Sequence, residues 1–224
     1  MPMRLNGILT FAAVVGVAGA ASAADIYQAP PPISSPIYAP TPIYDWTGAY
    51  IGLSGGYSWG QSKASTGSAF DIPLNGWLAG GQIGANWMLS NNIVLGIEGD
   101  IAWTGQKGSI GPGPTVTQSL DWLGTVRGRV GIAMNNVMPY VTGGFAAGGG
   151  TRTTDIGGQT AKATHTGYVL GGGVEWGFAQ NWTAKLEYQY VNLGAKTYTF
   201  AFPPPSPSVG ITDHIVKVGV NYKF

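Results

Sequence analysis

The sequence predicts an all-β fold: an eight-stranded antiparallel up-and-down transmembrane β-barrel, preceded by an N-terminal Pro-rich periplasmic extension. Three observations carry that prediction. From Trp46 onward, apolar and polar residues alternate with the period of a strand, because successive side chains leave a pleated backbone on opposite faces. The connections between alternating segments are short and long by turns. Charged residues make up only 9% of the chain, where a soluble domain carries about 25%. Eight Trp, eleven Tyr and 37 Gly accompany that scarcity, and a soluble protein so poor in charge would have difficulty covering its surface.

Taken from the amino terminus, residues 1–23 read as a secretory signal peptide. Arg4 precedes an apolar run from Ile8 to about Ala20, and Ala21-Ser22-Ala23 supplies an A-x-A cleavage site. The run is too short to span a bilayer as a helix, and no later stretch reaches the roughly 18 unbroken apolar residues that a membrane helix needs. Cleavage after Ala23 leaves Ala24 first. Residues 24–45, "ADIYQAPPPISSPIYAPTPIYD", have neither a helix nor a strand period. Their proline content favours polyproline II at about 3.1 Å per residue, so some twenty residues reach roughly 60 Å as a spacer.

Residues 46–224 form the barrel. The short connections are Ser90 to Asn92, Asn135-Asn136 and Ala179 to Asn181, where Asn tolerates the positive φ of tight hairpins. The long ones are Gly60 to Leu74, Thr104 to Thr117, Gly149 to Thr164 and Gly194 to Thr212, rich in Gly, Pro, Ser and Thr. Strict alternation puts all long loops at one end and all tight turns at the other, the asymmetry of an outer-membrane barrel. An even strand count places both termini at the periplasmic end.

The faces separate by parity. In "GWLAGGQIGANWML", Trp77, Ala79, Ile83, Ala85, Trp87 and Leu89 oppose Gly80, Gln82, Gly84 and Asn86. In "IVLGIEGDIAW", Ile93, Leu95, Ile97, Ile101 and Trp103 oppose Glu98 and Asp100. In "SLDWLGTVRGRVGIAM", Leu120, Trp122, Val126, Val130, Ile132 and Met134 oppose Asp121, Thr125, Arg127 and Arg129. Glu175, Lys185, Glu187, Lys217 and Lys223 continue the charged parity in later strands. A soluble sandwich would wet that face, whereas a membrane barrel closes it inside and turns the apolar face to lipid. Trp77 and Trp87 decide between them: ten residues apart on one face, they are separated by roughly 25 Å of height in a tilted strand, the thickness of an apolar band. Trp77, Trp87, Trp103, Trp122, Trp176 and Trp182 therefore read as interfacial anchors.

The last segment, "VKVGVNYKF", puts Val216, Val218, Val220, Tyr222 and Phe224 on the lipid face. It must pair with the first strand, because an open edge in hydrocarbon leaves backbone polar groups unsatisfied at several kcal/mol each. The inward charges are five acids, Glu98, Asp100, Asp121, Glu175 and Glu187, and five bases, Arg127, Arg129, Lys185, Lys217 and Lys223. An eight-stranded barrel is just wide enough for side chains to fill, so this balance points to a salt-bridged, plugged lumen. Inward glycines such as Gly52, Gly56, Gly80, Gly84 and Gly173 leave room for water as the competing expectation.

The opening "DWTGAYIGLSGGYSWG", with Trp46, Gly48, Tyr50 and Gly52 in a W-x-G-x-Y-x-G pattern, resembles the small outer-membrane β-barrel proteins of alphaproteobacteria. These are the porin-family or opacity-like surface proteins, distant relatives of the OmpA barrel. The resemblance extends to the signal peptide, the Gly-rich strands and the terminal Phe224. It implies a structural envelope role. The final apolar alternation ending in Phe224 resembles the signal read by outer-membrane assembly machinery. Some similar proteins are attached to peptidoglycan through an amino terminus beginning Ala-Asp, which Ala24 and Asp25 match, and some bind hemin.

Other chemistries find little support. The net charge of +1 gives no reason to propose nucleic acid, and the absence of cysteine excludes disulfides and thiolate metal sites. His165 and His214 are the two histidines; Asp213 and His214, being adjacent in a strand, face opposite sides and make no dyad. His165 reads as a solvated residue at the end of a long loop. With no inward catalytic set, an enzyme is not expected, nor is a cofactor or metal. Three functions remain: a structural barrel tethered to peptidoglycan, a narrow channel, and a receptor for hemin or an extracellular ligand held by the polar and Pro-rich loops.

Overall fold

A computed structural model of the chain describes residues 44–64, 71–110, 116–155, 158–197 and 208–224. The expected signal peptide, Ala24, Asp25 and nearly all of the spacer lie outside the described residues. Eight strands follow one another: β1 (Gly48–Ala64), β2 (Ile72–Met88), β3 (Ile93–Ile110), β4 (Val116–Ile132), β5 (Val137–Thr154), β6 (Gln159–Ala179), β7 (Trp182–Thr197) and β8 (Ser208–Lys223). Each pairs antiparallel with the next, and β8 pairs with β1 from Tyr50↔Lys223 to Ala64↔Val209, so the sheet is a closed barrel. Closure leaves no edge to be satisfied within lipid.

Three tight turns lie at the end that holds both the start of β1 and the end of β8. Asn92 and Asn135 adopt φ of 63° and 56° there, the left-handed conformation that Asn tolerates and hairpins require. The far ends of the strands differ from the sequence expectation. Segments read as long loops are in large part barrel wall: β1 continues to Ala64 and β4 already begins at Val116. Strands of 16 to 21 residues exceed the roughly 9–11 needed to cross a bilayer, so the wall projects beyond the membrane on the extracellular side. Ser, Thr and Gly there lack an apolar stripe, and ladder hydrogen bonds hold the wall instead.

Outside, the barrel is apolar. Leu53, Ile83, Val126, Phe145 and Val218 are exposed across its middle. Trp77 and Trp103 stand exposed toward the long-loop end, and Trp87, Trp176 and Trp182 toward the turn end. Trp122 is half-buried, its indole lying against Gly149. Trp182 meets Tyr222 edge to face at 5.2 Å, and Tyr222 meets Phe224 at 5.3 Å. These rings form the interfacial belts of a membrane barrel.

One bulge corrects two assignments. β4 carries an extra residue relative to β5 between Leu120 and Trp122, which shifts its period by one. Asp121 is therefore exposed on the outer face, where it accepts hydrogen bonds from Ser119 Oγ at 3.0 Å and Thr151 Oγ1 at 2.6 Å. It is no lumen charge. Leu120 turns inward and is fully buried rather than facing lipid.

Candidate functional site in the barrel lumen

Inward residues fill the lumen in layers. At the periplasmic mouth Trp46, Val94, Ala133, Met138 and Tyr140 form an apolar cluster, with Tyr44 packed on it. Tyr44 and Trp46 lie 4.7 Å apart, ring to ring. The motif residues Trp46, Tyr50 and Gly52 thus share a structural duty: Trp46 plugs the mouth, Tyr50 enters the lumen, and Gly52 gives way to Asn221, against which any Cβ would collide.

Above this mouth lie four acids and four bases, all buried: Glu98, Asp100, Glu175 and Glu187 with Arg127, Arg129, Lys185 and Lys217. The Arg127 guanidinium donates to three carboxylates, reaching Glu98, Asp100 at 3.0 Å and Glu187 at 2.7 Å. Arg129 pairs with Glu175, approaches Glu98 at 3.6 Å, and lies 4.0 Å from the centre of the Tyr140 ring. Lys185 donates to Glu98 at 2.8 Å, and Lys217 donates to Asp100 at 2.7 Å. Neutral partners complete the shells. Tyr50 donates to Glu98 at 2.7 Å, Tyr140 to Glu187 at 2.7 Å, and Thr183 and Asn221 to Glu175 at 2.6 and 2.9 Å. Burial of charge is tolerable only when each ion is paired and hydrogen-bonded, and here each carboxylate has both.

Lys223 stands apart from this group. It sits at the periplasmic rim, donating to the backbone carbonyls of Asp45 and Thr47 beneath the Tyr44 ring. With Asp121 outside and Lys223 at the rim, this group is four against four, and the buried Asp213 and Arg152 farther along the lumen add one charge of each sign.

The inward glycines lie close against neighbouring atoms. A Cβ on Gly56 or Gly80 would strike the neighbouring strand's backbone, and one on Gly84 would strike the Tyr50 hydroxyl. These glycines give space to the tyrosines and charges. Beyond the ions the lumen becomes apolar, with Leu74, Leu78, Leu120, Leu123, Leu193 and Ile211 among its buried side chains. Sequence reading missed this layer, although Leu74, Leu78, Leu123 and Leu193 hold the lumen parity of their strands, Leu120 being turned inward by the bulge. Toward the extracellular rim polar groups return: Ser62, Gln106, Gln118, Arg152 and Asp213 are buried there. His165 is also fully buried, on β6, with Nδ1 3.1 Å from the Gly194 carbonyl oxygen, and is not the solvated loop residue expected. Asp213 faces inward and His214 outward, so they form no dyad.

Replacing Tyr50 with Phe is expected to lower stability by about 1–3 kcal/mol, because buried Glu98 loses a donor and buried Arg129 loses an acceptor 3.1 Å away. Urea unfolding in detergent, followed by tryptophan fluorescence, measures the loss.

A closed eight-stranded wall with lipid-facing aromatics and an ion-paired interior defines an integral outer-membrane β-barrel. The chain belongs to the outer membrane protein β-barrel domain family, whose model matches residues 9–224. It is 36% identical over 231 residues to a "31 kDa outer-membrane immunogenic protein" of Brucella melitensis, covering 92% of this chain and 95% of that one. It is 34% identical over 217 residues to a "25 kDa outer-membrane immunogenic protein" of Brucella abortus, covering 97% of each. A "22 kDa outer membrane protein" of Rhizobium leguminosarum is 35% identical over 185 residues, covering 82% of this chain and 80% of its own. Among solved structures the barrel is similar to the outer membrane protein OprG of Pseudomonas aeruginosa, with a TM-score of 0.52 at 11% identity, covering 81% of this chain and 99% of that one. These likenesses place the protein in the bacterial outer membrane, embedded in its lipid.

Proposed function

We propose that the protein is a structural component of the envelope: a non-conducting barrel whose amino-terminal spacer ties the outer membrane to peptidoglycan. The lumen carries the first half of this reading. Eight mutually neutralising ions, capped by an apolar layer, leave a solute neither a continuous polar lining nor space. Planar-bilayer recordings of the purified barrel are expected to stay silent, and steady single-channel steps would overturn the closed lumen.

The tether is supported by the Ala24-Asp25 pair and by the Pro-rich composition of residues 24–45, which precede Trp46 in the sequence. Lysozyme-digested envelopes are expected to release a form carrying muropeptide on Ala24, and substitution of Ala24 or Asp25 removes it. Recovery of unmodified chains alone would reject the tether and leave the barrel standing. The β8 stripe of Val216, Val218, Val220, Tyr222 and Phe224, exposed toward lipid, is the element we assign to recognition by the assembly machinery. By analogy with its immunogenic relatives, the projecting wall and loops would serve as surface antigen.

A further inference from the structure

Above the outer aromatic belt, β7, β8, β1 and β2 together present an outward cleft of about 440 Å³. Its floor is a row in strict register: Asn75 opposite Trp59, Trp59 opposite His214, and His214 opposite Tyr190. The Trp59 and His214 rings are nearly parallel, with centroids 6.1 Å apart at 14°, and Tyr190 meets His214 edge-on at 5.3 Å. The Tyr188 hydroxyl lies 2.6 Å from His214 Nδ1. Gln61 and Lys63 rise above the row on the same face of β1. Lys107 of β3, also exposed, pairs across the ladder with Asn75.

Position and chemistry together identify the occupant. The next outward residues below the row are Tyr57, Trp77 and Val216, all exposed toward lipid, so the cleft lies at the height of outer-leaflet headgroups. It offers ammonium and amide donors beside a broad indole face, suited to phosphate and to the apolar face of a sugar ring. Basic side chains just outside the apolar band attract anionic headgroups. Among the described residues, neither Lys63 nor Lys107 forms an ion pair with a protein carboxylate, unlike the lumen bases. The nearest carboxylate by position, Asp213 between Thr212 and His214, is buried on the lumen side, and the next are Asp71, just before β2, and Asp121 on β4, the latter held by Ser119 and Thr151. We infer that this cleft binds the headgroup of a phosphorylated glycolipid from the surrounding outer leaflet, with Lys63 and Lys107 on phosphate and Trp59 beneath a sugar.

The test uses the full chain in detergent micelles, with native mass spectrometry reading bound lipid. The probes are a bisphosphorylated glucosamine-disaccharide lipid, the same lipid dephosphorylated, and inorganic phosphate. The phosphorylated lipid is expected to remain bound. The Lys63→Gln/Lys107→Gln double variant and Trp59→Leu each weaken retention by about tenfold or more. Lys162→Gln, exposed on β6 away from the cleft, leaves retention unchanged. Unchanged heat-dependent gel mobility shows that each variant is folded. Equal retention of the dephosphorylated lipid, equal loss in Lys162→Gln, or no loss in the cleft variants overturns the proposal. Displacement by equimolar inorganic phosphate would reassign the cleft to free phosphate and overturn the lipid assignment.

Discussion

Arg127→Met is expected to destabilise the barrel by about 3–5 kcal/mol, the cost of stranding buried charges by removing one partner. The guanidinium joins Glu98, Asp100 and Glu187. Glu98 would keep Lys185 and Asp100 would keep Lys217, but Glu187 would lose its direct ion pair and keep hydrogen bonds from Tyr140 and Gln189, with Lys185 its remaining cationic neighbour. One net negative charge would then remain buried among these lumen side chains. Urea titration in detergent reads the loss. Adding Glu187→Gln removes one charge of the opposite sign and is expected to restore part of it, a coupling that a double-mutant cycle isolates. Strict additivity of the two substitutions would show that these ions do not act as a unit, and the plugged-lumen account would fall with it.

The second large effect concerns the outer surface. Leu53 is 74% exposed at the middle of β1, paired with Gly81 on one side and Val220 on the other. On a water-facing surface Leu53→Arg would shift stability by no more than about 0.5 kcal/mol. In hydrocarbon near the bilayer midplane the same change costs about 2–4 kcal/mol. Thr164→Arg, exposed near the outer rim on β6, is expected to cost about 0–1 kcal/mol because its depth differs. Folding into lipid vesicles, followed by gel mobility against urea, separates the two. Equal, small effects at both positions would mean that Leu53 does not face lipid.

Several features could be read before any coordinates. Alternation assigned Trp77, Ile83 and Trp87 to one face, and the Asn-containing connections marked the turns at which Asn92 and Asn135 take positive φ. Both are local signals: side-chain period follows from the pleat, and turn conformation from the residue's own backbone preference. Asp121 escaped because a bulge adds one residue and resets the period. It leaves the neighbours Asp121 and Trp122 both on the outer face, which strict alternation forbids. The strand ends escaped as well, since Ser, Thr and Gly beyond the belts carry a loop composition while the ladder continues through them.

The chain alone determined that strands alternate, that their apolar side is wide enough to meet a bilayer, and that opposite charges occur in near balance on the other side. Only closure of the wall decided which ions meet. Arg127 of β4 reaches Glu187 of β7, 60 residues away, and Lys217 of β8 reaches Asp100 of β3, 117 residues away. Such pairings follow from the curvature of the wall and the stagger of its strands, which set who lies across the lumen from whom. The period of a single strand carries no information about the far wall.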